Sequence, residues 1–302
     1  MRGWWTDAAA AARLVADRPT LWLSGALCWL ATVGWIPLIV GVTRPPNVAD
    51  LTFLGAAIFT SGAWPWNAVA IGAGVLAVVA VAVGVAAAGE ASLIASSVRR
   101  RTSATDVLRL IGVTVVTAAP ALMAAMLLAI TLATIAVSEF TAPDAGAGPV
   151  LRTIGRAAPF VALAGVTVVI GSTLHAAAAR AVIGSRADLM GALASSPRRL
   201  AQAGAPGFAQ VASVFVLRLA YVAASAVLLA TLWTPVGARL TRDGFDLATS
   251  LLLVGFVAIW LCLVLAGGAL HAWGSVTWTA VLTRGSRRHR AGSIPEEAPA
   301  EP

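Results

Sequence analysis

The sequence has too little charge to be that of a soluble globular protein. Charged residues make up only 11% of its 302 residues, whereas hydrophobic residues make up 59%, and the mean hydropathy is +0.87. So few polar side chains could not cover the apolar surface of a folded chain of this size in water. The composition therefore excludes a soluble domain and indicates that lipid surrounds most of the protein.

The sequence also lacks the motifs of common catalytic sites. It contains no His-Glu-x-x-His, Gly-x-Ser-x-Gly, P-loop or dinucleotide-binding fingerprint. The only two cysteines, Cys28 and Cys262, lie singly in apolar stretches, which excludes a disulfide framework and predicts two small packing residues. These absences favour a protein that is not an enzyme and that uses no cofactor.

Six apolar segments are long enough to cross a bilayer, for which a helix needs about 20 mostly apolar residues. They are continuous apolar runs without the period-two alternation of β-barrel strands. The segments are residues 20–42, 67–95, 110–137, 158–183, 209–236 and 246–282. The predicted fold is therefore all-α, a polytopic membrane bundle of six transmembrane helices.

Lysine is absent, and arginine provides all 21 basic side chains, a bias typical of a GC-rich bacterial genome. Fourteen arginines lie before the first span, after the sixth, or in the segments that follow the second and fourth spans, and a fifteenth, Arg180, lies just inside the end of the fourth span. Only five lie on the opposite side, so the positive-inside rule makes the arginine-rich side cytoplasmic. We expect a multi-pass protein of the bacterial plasma membrane with both termini in the cytoplasm, which contacts anionic lipid headgroups and not nucleic acid.

A short phrase recurs near the cytoplasmic end of each inward span. Leu-His-Ala at residues 174–176 recurs at 270–272, and Gly-Glu-Ala occupies the same place at 89–91. A short amphipathic segment precedes each hairpin of spans, as expected of an interfacial helix. The pattern predicts a basic, then acidic, disordered tail and three interfacial-helix-plus-hairpin repeats, the alternative being three similar hairpins that arise from low-complexity Ala/Val/Leu sequence alone. The repeats cover residues 4–98, 102–184 and 185–283, and the tail covers residues 284–302.

Four ionisable side chains inside the predicted spans are the candidate functional residues: Glu90, His175, Arg218 and His271. A charged group at the centre of a helix raises the free energy of membrane insertion by about 2.5–3.5 kcal/mol, so each of these residues is a candidate for a functional role. Three repeats around one axis would bring Glu90, His175 and His271 together as a metal site or proton relay. The alternative is that each of these side chains bonds a neighbouring helix. Arg218 either pairs with Glu90, snorkels to the cytoplasmic side, or faces a cavity that takes an anion.

Tryptophans near the ends of the spans are predicted to anchor the helices at the membrane interfaces. They are Trp4, Trp5, Trp64, Trp66, Trp273 and Trp278. Small residues predict where helices approach closely, since glycine lets two backbones meet. These are Gly72, Gly74 and Gly84 in the second span and Gly267 and Gly268 in the sixth.

The architecture and the Leu-His-Ala phrase resemble those of bacterial six-helix proteins related to the membrane domain of glycerophosphodiester phosphodiesterases. The resemblance covers most of residues 1–283. In that family the phosphodiesterase activity belongs to a separate soluble domain, for which this chain has no room. The resemblance therefore implies a fold and leaves the activity open.

Three functional classes are compatible with the sequence. The first is a non-enzymatic membrane protein that handles lipid or assists envelope assembly. The second is the permease subunit of an exporter driven by a separate ATPase. The third is an intramembrane enzyme that uses Glu90, His175 and His271 as a metal site or proton relay.

Overall fold

The computed structural model describes residues 2–43, 53, 57, 60, 62–141, 149–242 and 244–292. Within these ranges the chain forms eight helices and no strands, which confirms the predicted all-α fold for this part of the protein. In chain order the helices are α1 (Arg2–Ala16), α2 (Pro19–Thr32), α3 (Ile36–Val42), α4 (Trp66–Ser97), α5 (Ala104–Thr141), α6 (Pro149–Ser185), α7 (Leu189–Arg242) and α8 (Leu247–Gly292).

Five of the described helices, α4 to α8, are long and apolar enough to cross a membrane. The number rises to six if α2 and α3, which meet at a bend of 54°, form one broken span. The first span was predicted as one continuous segment, but the helix ends at Thr32 and restarts at Ile36. Pro37 lies in the first turn of α3, where its missing N–H and fixed φ angle are tolerated. The most apolar 18-residue stretch of α4 has no buried residues, as suits a helix that faces lipid.

The three predicted interfacial segments differ in how they join the spans. The first is the separate helix α1, which ends before Pro19 begins α2. The second is continuous with α5, which begins at Ala104. The third is the start of α7 and is separated from the rest of that helix by a kink at Gly204, whose φ of 54° favours glycine. The C-terminal helix α8 runs to Gly292, so residues 284–292 of the predicted tail are helical, and residues 293–302 lie outside the described residues.

The chain divides into two compact units that do not coincide with the predicted repeats. Unit 1 consists mainly of Thr102–Val211 and Trp278–Pro302, and unit 2 of Arg2–Arg101 and Ala212–Thr277. The long helices α7 and α8 therefore contribute to both units. The three repeats stay a prediction, since unit 2 combines the first predicted repeat with parts of the third.

Close helix contacts in unit 2 depend on glycines. A Cβ atom added to Gly25 on α2 would lie 2.1 Å from the Gly268 carbonyl oxygen on α8. A Cβ atom added to Gly89 on α4 would lie 2.5 Å from Cys28 Sγ on α2. The predicted close approach at Gly267 and Gly268 is confirmed, because a Cβ atom on either would collide with α2. The prediction was wrong for Gly72, Gly74 and Gly84, which have open space beside them in the described structure.

In unit 1 the helices α5 and α6 pack with similar closeness. A Cβ atom on Gly171 would lie 2.5 Å from the Thr117 carbonyl oxygen. The following residues of α6, from Ala176 to Ile183, are all buried and include the charged Arg180. Arg180 donates from Nη1 to the Ala176 carbonyl oxygen at 3.0 Å and from Nε to Thr279 Oγ1 at 3.3 Å.

Candidate functional site

The candidate site lies in unit 2, where α4, α7 and α8 each contribute polar side chains. Glu90 belongs to the C-terminal part of α4, where residues from Ala87 to Ala95 are mostly buried. His271 and Ser275 are four residues apart on α8, so both lie on one face of that helix. Arg218 lies on α7. We call Glu90, Arg218, His271 and Ser275 the polar chain.

The side chains of the polar chain are joined end to end by hydrogen bonds. Ser275 Oγ donates to Glu90 Oε1 at 2.9 Å. His271 Nε2 lies 3.0 Å from Glu90 Oε2, and Arg218 Nη2 lies 2.8 Å from His271 Nδ1. Glu90 and Ser275 are buried, whereas His271 and Arg218 are half-buried.

The contact with Arg218 determines which nitrogen of His271 carries the proton. A guanidinium group can only donate hydrogen bonds, so His271 Nδ1 must accept one and is unprotonated. The imidazole is then the neutral tautomer with its proton on Nε2, which it donates to the Glu90 carboxylate. His271 therefore bridges a cation and an anion while remaining neutral.

The charges of the polar chain balance, but the hydrogen bonds of Arg218 do not. The guanidinium carries one positive charge and the carboxylate one negative charge, with a neutral ring between them. Arg218 Nε is buried and has no hydrogen-bond partner among the described residues. Most buried polar atoms in proteins are paired, so an unpaired guanidinium N–H calls for an explanation.

Cys28 adds a thiol to this group. Its sulfur belongs to the hydrophobic cluster that joins α1, α2, α4 and α8, and it donates to the Ala86 carbonyl oxygen at 3.3 Å. The ligand atoms of Cys28, Glu90 and His271 all lie within 4.8 Å of one another, and such a set is chemically suited to a transition metal. A metal would need the lone pair of a ring nitrogen, yet Arg218 occupies Nδ1 and the remaining proton occupies Nε2. The described geometry therefore favours a hydrogen-bonded chain over metal coordination.

Three of the four predicted intramembrane residues belong to the polar chain. They are Glu90, Arg218 and His271, and the His271 ring contacts each of the other two. His175 is half-buried on α6 and belongs to unit 1, so the chain in unit 2 contains only one of the two predicted histidines. The predicted pairing of Arg218 with Glu90 takes an indirect form, since the His271 ring lies between them.

Two members of the site were missed by the sequence analysis. Ser275 follows His271 by one helical turn, and this spacing could have indicated it. Cys28 is remote in sequence from the other residues and had been predicted only to pack, which it does as part of a hydrophobic cluster. The other cysteine, Cys262, is exposed rather than packed.

The predicted tryptophan anchors fall into two groups. Trp5, Trp64 and Trp66 are exposed, so an anchoring role for them stays a prediction. Trp4 and Trp278 are buried within the protein, which does not suit a side chain that rests among lipid headgroups. Half-buried Trp273 donates from Nε1 to the Ala8 carbonyl oxygen at 3.0 Å and thereby holds α1 against α8.

Comparisons with protein-family models, curated proteins and solved structures found no match to this chain.

Proposed function

We propose that the protein is a non-enzymatic, proton-coupled lipid-handling protein of the bacterial plasma membrane, in which Glu90 binds the proton. The observation that carries the proposal is the hydrogen-bonded chain from Arg218 through His271 to Glu90 within apolar helices. Acidic residues and histidines at membrane depth typically serve proton pathways when they are not merely structural.

Glu90 is the group of the polar chain that can take up a proton and keep its hydrogen bonds. Protonation of His271 at Nδ1 would remove the acceptor for Arg218 and create two adjacent cations. Protonation of Glu90 would instead form a neutral carboxylic acid, which can keep accepting hydrogen bonds from His271 and Ser275. Glu90 is thus the proton-binding residue, and hydrogen bonds through His271 link it to Arg218.

Lipid handling is the functional class that the exposed surfaces favour. The most apolar stretch of α4 has no buried residues, and that of α7 is only 6% buried. These helices therefore present extensive apolar surface to the acyl chains around them. The arginine-rich cytoplasmic side would contact anionic headgroups, as the sequence predicts.

The proposed topology has six spans, with the bent pair α2–α3 as the first and with both termini in the cytoplasm. Three hairpin repeats remain part of the proposal. They are supported by a shared turn, because Arg99 and Arg186 each follow an inward helix, α4 and α6, with a positive φ of 54°. This conformation commonly ends helices and is usually adopted by glycine. The relation to glycerophosphodiester phosphodiesterase membrane domains stays a prediction from the sequence.

Infrared spectroscopy of the full chain in lipid nanodiscs tests proton binding at Glu90. Acidification should produce the carbonyl stretching band of a protonated carboxylic acid, and this band should be absent from the Glu90→Gln variant. Asp106→Asn is the matched control, because it makes the same change of carboxylate to amide in the capping box with Ser103 at the start of α5. A band that persists unchanged in Glu90→Gln would overturn the proposal.

A further inference from the structure

Arg218 carries more hydrogen-bonding capacity than the polar chain uses. One of its terminal nitrogens contacts His271, while its Nε is buried without a partner among the described residues. The Nε–H lies on the same side of the guanidinium as Nη2, the nitrogen that contacts His271, so an oxyanion oxygen can accept from Nε–H while Nη2 keeps its bond to His271. An anionic group beside Arg218 would therefore satisfy an otherwise costly donor.

Proton binding at Glu90 changes the charge that Arg218 experiences. The groups that face Glu90 include Cys28 on α2, Arg218 on α7, and His271 and Ser275 on α8. With Glu90 ionised, its negative charge balances Arg218, so an added anion would be repelled. With Glu90 protonated, the site carries one uncompensated positive charge in a poorly polar environment, which is unfavourable unless an anion arrives.

The residues next to Arg218 on α7 indicate what kind of ligand this helix can pack against. Phe215 and Leu219, one turn before it and directly after it, are 46% and 60% exposed. Val216 and Leu217 are also exposed. A ligand that approaches from the surrounding acyl chains can thus keep its apolar part against α7 while its charged end contacts the guanidinium.

We infer that Arg218 binds the anionic head of a lipid-like amphiphile when Glu90 is protonated. This inference rests on the proposed function and names its substrate class: an apolar chain that ends in a carboxylate or phosphate. The binding step adds one proton to the Glu90 carboxylate and one negative charge beside Arg218, so the net charge of the site is the same before and after. No covalent bond is made or broken.

Binding of oleate to the full chain in nanodiscs of zwitterionic lipid tests the inference. Glutamine has the shape and neutrality of protonated glutamate, so Glu90→Gln should bind oleate at neutral pH at least about tenfold more tightly than the wild type. Wild-type affinity should rise on acidification, and the affinity of Glu90→Gln should not. Equal affinities of the wild type and Glu90→Gln at neutral pH would overturn the inference.

The double variant Glu90→Gln/Arg218→Gln separates the role of Arg218 from a failure to fold. It contains neither buried charge, so it should fold, and it should bind oleate at least about tenfold more weakly than Glu90→Gln. Equal binding by the double variant would show that the carboxylate does not contact Arg218 and would overturn the inference.

Two further probes distinguish the source of the anion. Oleyl alcohol has the same chain without the charge and should bind all variants alike, while inorganic phosphate should not displace oleate. Displacement of oleate by inorganic phosphate would overturn the assignment of an anionic amphiphile. The assignment would also fail if Glu90→Gln strengthened the binding of oleyl alcohol as much as the binding of oleate, relative to the wild type.

The infrared experiment keeps the two proposals separate. If the Glu90 band is present but oleate binding is insensitive to Glu90→Gln, only the inference fails.

Discussion

Each unit of the protein contains an arginine within a helix that is long and apolar enough to cross a membrane, and the two arginines, Arg180 and Arg218, differ in what they contact. Arg180 in unit 1 is buried and donates to a carbonyl oxygen of its own helix and to the hydroxyl of Thr279. Arg218 in unit 2 donates to His271, which in turn contacts the Glu90 carboxylate. These two acceptors of Arg180 are neutral groups that do not titrate, whereas Arg218 is linked through His271 to a carboxylate that does.

This difference shows how the partners of a buried guanidinium can distinguish a structural role from a functional one. Neutral oxygens hold a guanidinium in one state at every pH near neutrality, which suits a structural role. A carboxylate can gain a proton, so the electrostatic environment of Arg218 has two states. The comparison therefore supports the proposal that the link to Glu90, rather than the buried charge itself, gives Arg218 its role.

Replacing the two arginines should give the largest effects and test the comparison directly. Arg218→Gln leaves the Glu90 charge buried without its cation, so the free energy of unfolding in bicelles should fall by about 3–5 kcal/mol. Arg180→Gln should lower it by about 1–3 kcal/mol, because its described partners are neutral. Adding Glu90→Gln should restore most of the stability lost in Arg218→Gln and none of that lost in Arg180→Gln. Rescue of both variants, or of neither, would remove the distinction between the two arginines.

Removing one hydroxyl from each unit should sharpen the same contrast at intermediate size. Ser275→Ala deletes a hydrogen bond of 2.9 Å to the Glu90 carboxylate and should reduce the free energy of unfolding by about 1.5–3 kcal/mol. Thr279→Val deletes the longer contact of 3.3 Å from Arg180 and should reduce it by about 0.5–1.5 kcal/mol. The infrared band of Glu90 should shift in the first variant and stay in place in the second. A larger shift in Thr279→Val would contradict the assignment.

The smallest expected effect concerns Asp246, the residue directly before α8. Asp246 Oδ1 accepts a hydrogen bond from the Thr249 backbone N–H at 2.7 Å, and hydrogen bonding from Thr249 lowers the pKa of the Asp246 carboxyl. Because the folded state holds the ionised form, this contribution is present above the pKa of the unfolded chain, about 3.9, and is lost as the pH falls through the lower folded value. Asp246→Asn should slightly reduce the dependence of the melting temperature on pH between about pH 5 and 3. Unlike Glu90→Gln, it should leave the infrared band of the buried carboxyl unchanged.

Much of the helical organisation could be predicted because it depends on local sequence. A helix satisfies its backbone hydrogen bonds within one segment, so an apolar run of sufficient length is enough to predict a spanning helix. The break between α2 and α3 was not predicted, since residues 20–42 form one continuous apolar run in the sequence. The glycines of α4 show the same limit, because Gly89 packs against α2 whereas Gly72 and Gly74 face open space.

Three members of the candidate site could be predicted, but their connections could not. Glu90, Arg218 and His271 were identifiable because charged or titratable residues within apolar runs are rare. Nothing in the sequence distinguishes His271 from His175, since both occupy the same Leu-His-Ala phrase. Their different environments depend on contacts between residues far apart in the chain, such as the contact between Glu90 and His271.

The sequence by itself thus determined the all-α class, most of the helices that are long and apolar enough to cross a membrane, and the short set of polar residues within them. Hydrophobicity and helix formation are local properties, so they can be evaluated one segment at a time. Only the tertiary structure decided that His271 lies between Arg218 and Glu90 as a neutral bridge, that Cys28 lies beside them, and that Arg180 has neutral oxygens as partners. These relations depend on which helix faces meet, and that is set by packing between segments distant in the chain.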